Sequence, residues 1–523
     1  MIKQYLKTPL LLLALCSTQL APAQDWIDYD ASGEPHNLLS GIELKGETQV
    51  SVSNNQTPLW LNANKHGLSS LEKNNAYIRG SVIRPLQQDS LRHWAIGYGL
   101  DIVAPIHYTS NVIVQQAFAQ ARWLHGVLSI GAMERPMELK NQTLSTGSQT
   151  IGINARPIPQ VRLALGDYWV IPATNGWLRI KGHIAYGKFT DDNWQTDFTQ
   201  QLTPYTQGAL FHSKAGYLKI GNPERFYPLT IEMGLEMAAQ YGGKCYYNDE
   251  TGTMAMHQGH NGLHGMWRAF WPGGADYGET TYQNAEGNQL GSWVMRINYN
   301  ADTWQFSLYA DKYFEDHSSM LQLDYDGYGQ GEEWDTQKER RYFLYDFKDI
   351  MLGAELQLKY NPIIRTILAE YLYSKYQSGP IYHDHTNTIS DHIGGKDNFY
   401  NHFAYVSWQH WGQVIGNPLY LSPIYNTNGK IDVQNNRVKA FHLGIDGNPT
   451  ENTWYRLLAT WQEGLGTYDA PYLKKKHNVS TMLEIGYNLP RGGWQLKGAF
   501  GADCGSLLGH NYGAQLTLSK TIR

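Results

Sequence analysis

The feature that most constrains the fold is a two-residue period of apolar side chains that recurs along the second half of the chain. In residues 292–300, Trp293, Met295, Ile297 and Tyr299 would share one face of an extended strand, with mostly polar residues between them. Successive side chains of a strand point to opposite faces, so this period predicts strands with one apolar face. The same alternation is found in residues 303–312, 351–360, 455–461, 481–487, 494–500 and 512–518.

The length and boundaries of these segments favour a membrane β-barrel over a soluble β-sandwich or β-propeller, which would also bury one face of each strand. A tilted strand needs about ten residues to cross the hydrocarbon layer, as these segments have. Trp or Tyr repeatedly opens or closes the apolar face, as at Tyr299, Trp304 and Trp494. Such aromatic girdles mark both interfaces of membrane barrels. We therefore predict an all-β, antiparallel transmembrane barrel.

Connection lengths predict which end of the barrel faces the cell exterior, because outer-membrane barrels have short periplasmic turns and long outer loops. Reading back from the C-terminus gives two sets of connections. Tight inner turns are predicted at residues 301–302, 361–362, 447–452 and 490–492, and outer connections at 313–349, 463–478 and 502–510. Residues 377–437 are either a further outer connection or contain an even number of strands.

The first half of the chain has weaker patterns. Strands are predicted at residues 76–84, 117–123, 127–133 and 179–187, whereas 228–241 has helix-compatible residues interrupted by Gly234. A chain of this length holds about 16 to 18 strands plus long loops.

The N-terminus has the three parts of a secretory signal. Lys3 and Lys7 give a positive start, residues 9–16 are mostly apolar, and the small residues 21–23 precede a predicted cleavage site at Gln24. We therefore predict a signal peptide over residues 1–23 and a single outer-membrane barrel domain with long extracellular loops over 24–523. The 42 Lys and Arg against 47 Asp and Glu argue against a nucleic-acid partner, which needs a basic surface.

The three cysteines do not define a disulfide framework. Cys16 could indicate lipoprotein processing, but Leu15 stands where that cleavage needs a small residue. Cys245 and Cys504 could pair in an oxidising compartment, and their spacing leaves that open.

Three groups of polar residues have side chains that suit a metal or catalytic site. His383, Asp384, His385, Asp391 and His392 have metal-ligand chemistry but read more simply as a solvated loop. The same holds for the looser set formed by His257, His260 and His264.

Glu232 and Glu236 could act as an acid and base pair on a helix, or be lumen-facing carboxylates. The sequence has no nucleophile elbow, zinc-protease motif or phosphate loop. We predict a protein without catalysis, cofactor or metal.

The predicted outer loops combine aromatic and polar side chains. Aromatic faces can stack on the apolar faces of sugar rings, and lysines can meet acidic sugars, so this composition suits a glycan-binding surface. An interfacial girdle or a packed loop would have similar residues. The residues predicted to bind polysaccharide are Trp334, Trp408, Trp411, Tyr420, Tyr425, Tyr468, Tyr472, Lys474, Lys475 and Lys476, with Tyr325 and Tyr328 in the same loops.

Several motifs resemble the Wzi family of capsule assembly proteins. They occur in order over nearly the whole predicted mature chain: WLNANKHG at 60–67, EMGLEMAAQYGG at 232–243, WRAFWPGG at 267–274 with GNQLGS at 287–292, and DNFYN at 397–401 with VIGNPL at 414–419. The resemblance implies an outer-membrane barrel of about 18 strands with a small periplasmic helical part, which binds capsular polysaccharide and helps to attach the capsule.

Two other function classes stay open. A diffusion channel resembling a porin would also have a polar lumen, and a barrel enzyme would need a reactive pair that the sequence does not display. The predicted partners are capsular or other surface polysaccharide and outer-membrane lipid, and the residue pattern sets no oligomeric state.

Overall fold

The computed structural model describes residues 38–89, 93–222, 225, 227–249, 251–271, 287–315, 348–383 and 392–522. Several predictions fall outside these residues and stay predictions. They concern the signal peptide with Cys16, and the loop residues Tyr325, Tyr328, Trp334, Asp384, His385 and Asp391.

Eighteen antiparallel strands form a closed barrel, as the sequence and the resemblance led us to expect. Each strand pairs with the next one in the chain, and the last pairs with the first. They are β1 (Glu43–Ser53), β2 (Asn74–Arg84), β3 (Trp94–Ile106), β4 (Ile113–Trp123), β5 (Gly126–Ala132), β6 (Gln160–Leu165), β7 (Leu178–Lys188), β8 (Leu210–Ile220), β9 (Leu229–Tyr241), β10 (Asn288–Asn300), β11 (Trp304–Phe314), β12 (Ile350–Leu358), β13 (Thr366–Tyr373), β14 (Val438–Gly447), β15 (Thr453–Gly466), β16 (Pro471–Asn488), β17 (Trp494–Gly505) and β18 (His510–Ile522).

The seam between β1 and β18 closes the wall. Gly46 of β1 lies opposite Gly80 of β2 on one side and Lys520 of β18 on the other. Ten residues of β1 are paired on each side, so this strand has no free edge along most of its length. Closure of this kind removes the exposed backbone groups that an open sheet would present to lipid.

The faces of the wall are inverted relative to a soluble protein. In β18, Leu516 is 58% exposed on the outside, whereas Gln515 and Thr517 are buried on the inside. Trp293 and Leu308 are also exposed on the outer face, as their period-two pattern predicted. An apolar outer face around a polar interior is the arrangement of outer-membrane barrels.

The connections differ in length at the two ends. One end has short turns, including residues 301–303, 359–365, 448–452 and 489–493, which confirms the predicted inner turns. We call this the inner end and the opposite one, with the longer connections, the outer end. The prediction of a long outer loop at 463–478 is wrong, because this connection is a four-residue turn at 467–470. β15 and β16 continue to pair beyond the level that their apolar residues predicted.

Residues 228–241 are not helical. Leu229–Tyr241 is strand β9, which pairs along its length with β8 and β10. Ladder pairing on both sides outweighs the helix propensity of the Met, Leu, Glu and Ala residues in this segment. Glu232 and Glu236 therefore face the lumen about 13 Å apart along the strand.

Three connections from the outer end fold into the lumen. In residues 54–73, Trp60 Nε1 donates to Thr460 Oγ1 of β15 at 3.0 Å. In 133–159, Ser145 Oγ donates to Glu370 Oε1 of β13 at 2.6 Å. In 397–437, Leu419 O accepts a hydrogen bond from Gln462 Nε2 of β15 at 2.7 Å. These contacts tie the inserted segments to the wall, and we call the three segments the plug.

The main hydrophobic core lies inside the barrel. Leu61, Leu144 and Trp408 come from three different plug segments and are all fully buried in one cluster. Tyr309 and Leu458 from the wall belong to the same cluster. The lumen is therefore packed with protein along this part of the wall.

Three short α-helices occur among the described residues, all in outer-end connections: α1 (Leu59–Asn62), α2 (Asp192–Thr199) and α3 (Leu263–Phe270). None of them is long and apolar enough to cross a membrane. The described inner end has one 3-10 turn, Leu86–Asp89, where the family resemblance implied a small helical part. The two-residue strand Trp169–Val170 pairs with the start of β7 and adds to the barrel sheet at the inner end. Short strands outside the wall are Tyr205–Gln207, Lys244–Asn248, Met254–Gln258, Ser378–His383, His392–Lys396, Asn401–His402, Val406–Ser407, Gln409–His410 and Gln413–Val414.

Candidate functional site

A cavity of about 470 Å³ opens at the outer end, between the connections that follow β3, β7 and β13. Three aromatic side chains from two of these connections line it together with hydroxyl, amide and carboxylate groups. We call this cavity the outer cleft. Its lining residues are Thr109, Ser110, Asn193, Trp194, Asp197, Phe198 and Trp411.

Trp411 lies at the tip of a two-residue hairpin between the strands Gln409–His410 and Gln413–Val414. Trp411 has φ +55° and Gly412 has φ +81°, the left-handed pair that a tight type I′ turn requires. A bulky residue in this conformation is uncommon, and such strained residues cluster at functional sites. The hairpin therefore places the Trp411 indole at the cleft although the backbone conformation of this residue is energetically unfavourable.

The Arg156 side chain packs against this indole. Its guanidinium carbon lies 4.4 Å from the Trp411 ring centroid. Arg156 Nη1 donates to Ser110 Oγ at 2.9 Å and Nη2 donates to Thr109 Oγ1 at 2.6 Å. Burial lowers the pKa of Arg156 to about 10 and Asp191 opposes that shift, so the guanidinium stays charged at neutral pH.

The fully buried Asp191 joins the hairpin to the start of α2. Its Oδ2 accepts hydrogen bonds from Gln409 Nε2 at 2.8 Å and from the backbone N–H of Trp411 at 3.1 Å. Its Oδ1 accepts one from Gln195 Nε2 of α2 at 3.3 Å. This carboxylate therefore fixes the two aromatic walls of the cleft relative to each other.

Helix α2 supplies the second aromatic wall. Trp194 and Phe198 are four residues apart and stack with ring centroids at 5.0 Å. Asn193 and Asp197 occupy exposed positions beside them. The helix begins with Asp192 in its first turn, which suits the helix dipole, and ends at Gln200 in the left-handed conformation.

The chemistry of the outer cleft suits a hydroxyl-rich ligand with apolar faces. Trp194 is buried in a cluster with Tyr205 and Ile431 and supports the other two rings from beneath. Phe198 and Trp411 are partly exposed, so their rings can stack on the C–H face of a sugar ring. Asn193 and Asp197 can bond sugar hydroxyls, because an amide both donates and accepts and a carboxylate accepts. These groups suit the cleft to binding such a ligand.

Two of the predicted polysaccharide-binding residues pack inside the plug. Trp408 and Tyr420 are fully buried, with Trp408 Nε1 donating to Thr150 O at 2.8 Å and Tyr420 Oη donating to Gln149 Oε1 at 2.8 Å. In these positions neither ring offers a face to a sugar. Tyr425 is partly buried, and its Oη accepts a hydrogen bond from Asn62 Nδ2 at 3.2 Å.

The remaining predicted residues lie on or beside the β15–β16 hairpin. Tyr468 Oη donates to Tyr376 O at 2.7 Å, and its ring packs on the Arg437 guanidinium at 3.9 Å. Tyr472 lies beneath Lys476 Nζ at 4.2 Å. Lys474 and Lys475 are exposed. The structure thus divides the described members of the predicted set among the outer cleft, the plug and this hairpin, and Trp334 lies outside the described residues.

No cluster of three or more metal-binding side chains occurs in the described part of the chain. His260 and His264 are ring neighbours at 5.4 Å, while His257 pairs with Cys245 in the strand Met254–Gln258. His383 and His392 are paired across a hairpin, with the acidic residues between them outside the described part. Cys245 and Cys504 are both free.

Sequence reasoning missed most of the outer cleft. The spacing of Trp194 and Phe198 after two aspartates is a helix-start pattern that could have drawn attention to α2. Arg156, Thr109 and Ser110 carry no local signal, since they reach the cleft from other connections. Only Trp411 belonged to the predicted set.

No protein-family model matches the chain, and no curated protein matches it. Among solved structures, the chain is similar to OccK10 of Pseudomonas aeruginosa, with 9% identity, TM-score 0.43, and coverage of 92% of this chain and 98% of that one. It is also similar to OccAB3 of Acinetobacter baumannii, with 9% identity, TM-score 0.41, and 92% and 98% coverage. A third is OmpT, an outer membrane protein of Vibrio cholerae, with 7% identity, TM-score 0.36, and 92% and 97% coverage. Similarity at this level does not extend to a function.

Proposed function

We propose that this protein is an outer-membrane barrel that binds capsular or another surface polysaccharide and attaches it to the cell surface. The outer cleft is the observation that carries the proposal. It combines the partly exposed rings of Phe198 and Trp411 with polar groups at the end of the barrel that has the long connections. The packed core inside the barrel supports a binding role over free diffusion.

The resemblance to the Wzi family points to the same function, with capsular polysaccharide as the ligand. The sequence also predicts that the protein has no catalytic activity, cofactor or metal. These are still predictions, and they are consistent with this proposal. The exposed lysines of the β15–β16 hairpin add a second surface that suits acidic sugars.

The direct test is binding of the strain's own purified surface polysaccharide to the full barrel and to the variant W411A. Loss of one aromatic stacking partner is worth about 0.5–1.5 kcal/mol, so we expect affinity to fall roughly 3- to 10-fold. W123A is a matched control, because Trp123 is 65% exposed at the inner end of β4. If W411A and W123A bind the polysaccharide with equal affinity, the outer cleft is not the binding site.

The attachment role is tested in the producing strain by deleting the gene and measuring polysaccharide retained on cells and released into the medium. Release with unchanged total synthesis is the expected result. Unchanged retention, together with no binding by the purified barrel, would refute the function as a whole.

A diffusion channel is the second candidate, and one observation favours it. The inward-facing Arg162, Lys181 and His183 on β6 and β7 are only partly buried, so this side of the lumen is less tightly packed than the plug core. Glu138 pairs with Lys181 at 2.8 Å, so Arg162 supplies the unbalanced positive charge, and a channel along this wall would conduct anions in preference to cations. Sizeable anion-selective conductance in a planar bilayer would favour the channel, and near-zero conductance would favour the filled barrel.

A further inference from the structure

The outer wall of the barrel is covered at one place near its outer end. Met233 of β9 is 40% exposed on the outward face, as expected for a lipid-facing residue. Further along the same face, Ala239 is fully buried and Tyr241 is 2% exposed. Both belong to a small apolar cluster with Ala269 of α3, so this helix packs on the outside of the barrel.

One side of α3 is fixed to the wall. Tyr186 Oη donates to Met266 O at 3.1 Å, and the Phe270 ring lies 5.9 Å from that of His212. The ammonium of Lys214, on the outward face of β8, donates to Phe270 O. A cation at the C-terminal end of a helix is favourable, which accounts for a lysine on the outward face of the wall.

The opposite side of α3 carries an apolar stripe that is exposed among the described residues, with the exposed His264 and the partly buried Arg268 beside it. Leu263, Trp267 and Trp271 are 83%, 63% and 65% exposed. They are four residues apart, so they form one stripe along the helix. A short helix with an apolar face on the wall and a second apolar face outward is unfavourable in water.

The position of α3 along the wall places it at the outer membrane interface. Gln289 of β10 contacts the helix through Ala269 O at 3.5 Å. Tyr299 lies ten residues further along the same face and stacks on Trp304 at the inner end. At roughly 3.3 Å per residue and a tilt of about 40°, this length spans about 25 Å, the height of the apolar band of such barrels.

We propose that α3 is an interfacial anchor whose Leu263, Trp267 and Trp271 stripe inserts into the outer leaflet of the membrane. The stripe continues the lipid-facing surface of the wall at the level where tryptophan is most favourable in a bilayer. Lipid is thus the occupant that the placement favours, and it also explains why two indoles are exposed side by side.

The anchor is tested with a fluorescent thiol probe at W267C in a barrel produced without residues 1–23, and hence without Cys16, that also carries C504S. The one other thiol is then Cys245, which is buried. The barrel is reconstituted in phosphatidylcholine and phosphatidylglycerol vesicles that contain a lipid with a nitroxide near the headgroup end of its acyl chain. We expect the lipid nitroxide to quench this probe strongly and aqueous iodide to quench it weakly.

Two matched positions calibrate the result. L443C lies on the outward face of β14 and should be reached only from lipid, whereas K474C lies on the exposed β15–β16 hairpin and should be reached only by iodide. L263C repeats the test on the same stripe if W267C does not fold. Quenching by iodide as strong as at K474C, or protection from both quenchers as in a protein contact, would overturn the proposal.

Discussion

Single buried polar residues hold the plug to the wall. Lys140 Nζ lies 3.0 Å from Asp311 Oδ2, and both side chains are almost completely buried. Glu370 accepts hydrogen bonds from Ser145 Oγ at 2.6 Å and from the Thr146 backbone N–H at 2.8 Å. Each of these contacts joins the segment 133–159 to a wall strand. The attachment of the plug to the wall therefore depends on a few buried charged groups that have bonding partners.

We predict that K140M destabilises the barrel by about 3–5 kcal/mol, because it leaves the Asp311 carboxylate buried without its cation. The free energy of unfolding is measured by guanidinium titration in lipid vesicles. The double variant K140M/D311N removes the orphaned charge and should recover part of the loss.

K475M is the control for this pair. Lys475 is 3.2 Å from Glu463 but largely exposed, so its loss should cost less than about 1 kcal/mol. Equal effects of K140M and K475M would show that the buried pair does not hold the plug.

His410 is buried beside the outer cleft, next to Trp411 in the chain. Burial lowers the pKa of His410 below its usual value. Its Nδ1–H donates to Arg156 O at 2.9 Å, so Nε2 accepts from Thr190 Oγ1 at 3.0 Å. The neutral ring is the form that this geometry accommodates.

We predict that the cleft region loses stability as pH falls below about 6.5, because the unfolded chain then binds a proton that the folded state excludes. The local opening free energy is measured by amide hydrogen exchange at Thr190 and Trp411. H410Q should flatten this pH dependence, whereas H125Q, at an exposed turn, should leave it unchanged. The same acid sensitivity in H410Q would assign the effect to another group.

At the scale of elements, periodicity predicted the strands well where one face is apolar and the other polar. It failed in β9, because the Met, Leu, Glu and Ala residues of this segment favour a helix. The segment becomes a strand only because it pairs with β8 and β10. Periodicity also ended β15 and β16 too early, because their outer ends leave the apolar band and lose the alternation while the ladder continues.

The β15–β16 hairpin is an element with its own expected role. We predict that K474Q/K475Q/K476Q weakens binding of an acidic capsular polysaccharide and reduces the dependence of that binding on salt, because three cations are removed from one exposed surface. Affinity is measured at several salt concentrations.

K73Q/K244Q/K430Q removes the same number of charges from exposed positions on other outer-end connections. An equal loss in both triple variants would indicate a general charge effect, with no special role for the hairpin.

At the scale of the whole molecule, the barrel closes only when β18 pairs with β1 on one side and β17 on the other. Leu516 lies opposite Val50 of β1 and Gly498 of β17. We predict that L516P prevents formation of the folded barrel, because proline removes a ladder donor inside a two-sided strand. Gel migration of unheated samples distinguishes folded from unfolded barrels, and L516A should still fold.

The sequence by itself determined the class of fold, the apolar outer face and most of the strands, because these follow from the alternation of neighbouring residues. Only the tertiary structure decided that three connections fill the lumen, that Arg156 meets Trp411, and that α3 covers the outer wall. These contacts join residues far apart in the chain, such as Trp60 and Thr460. Local periodicity cannot encode them, since they depend on which surfaces meet once the barrel has closed.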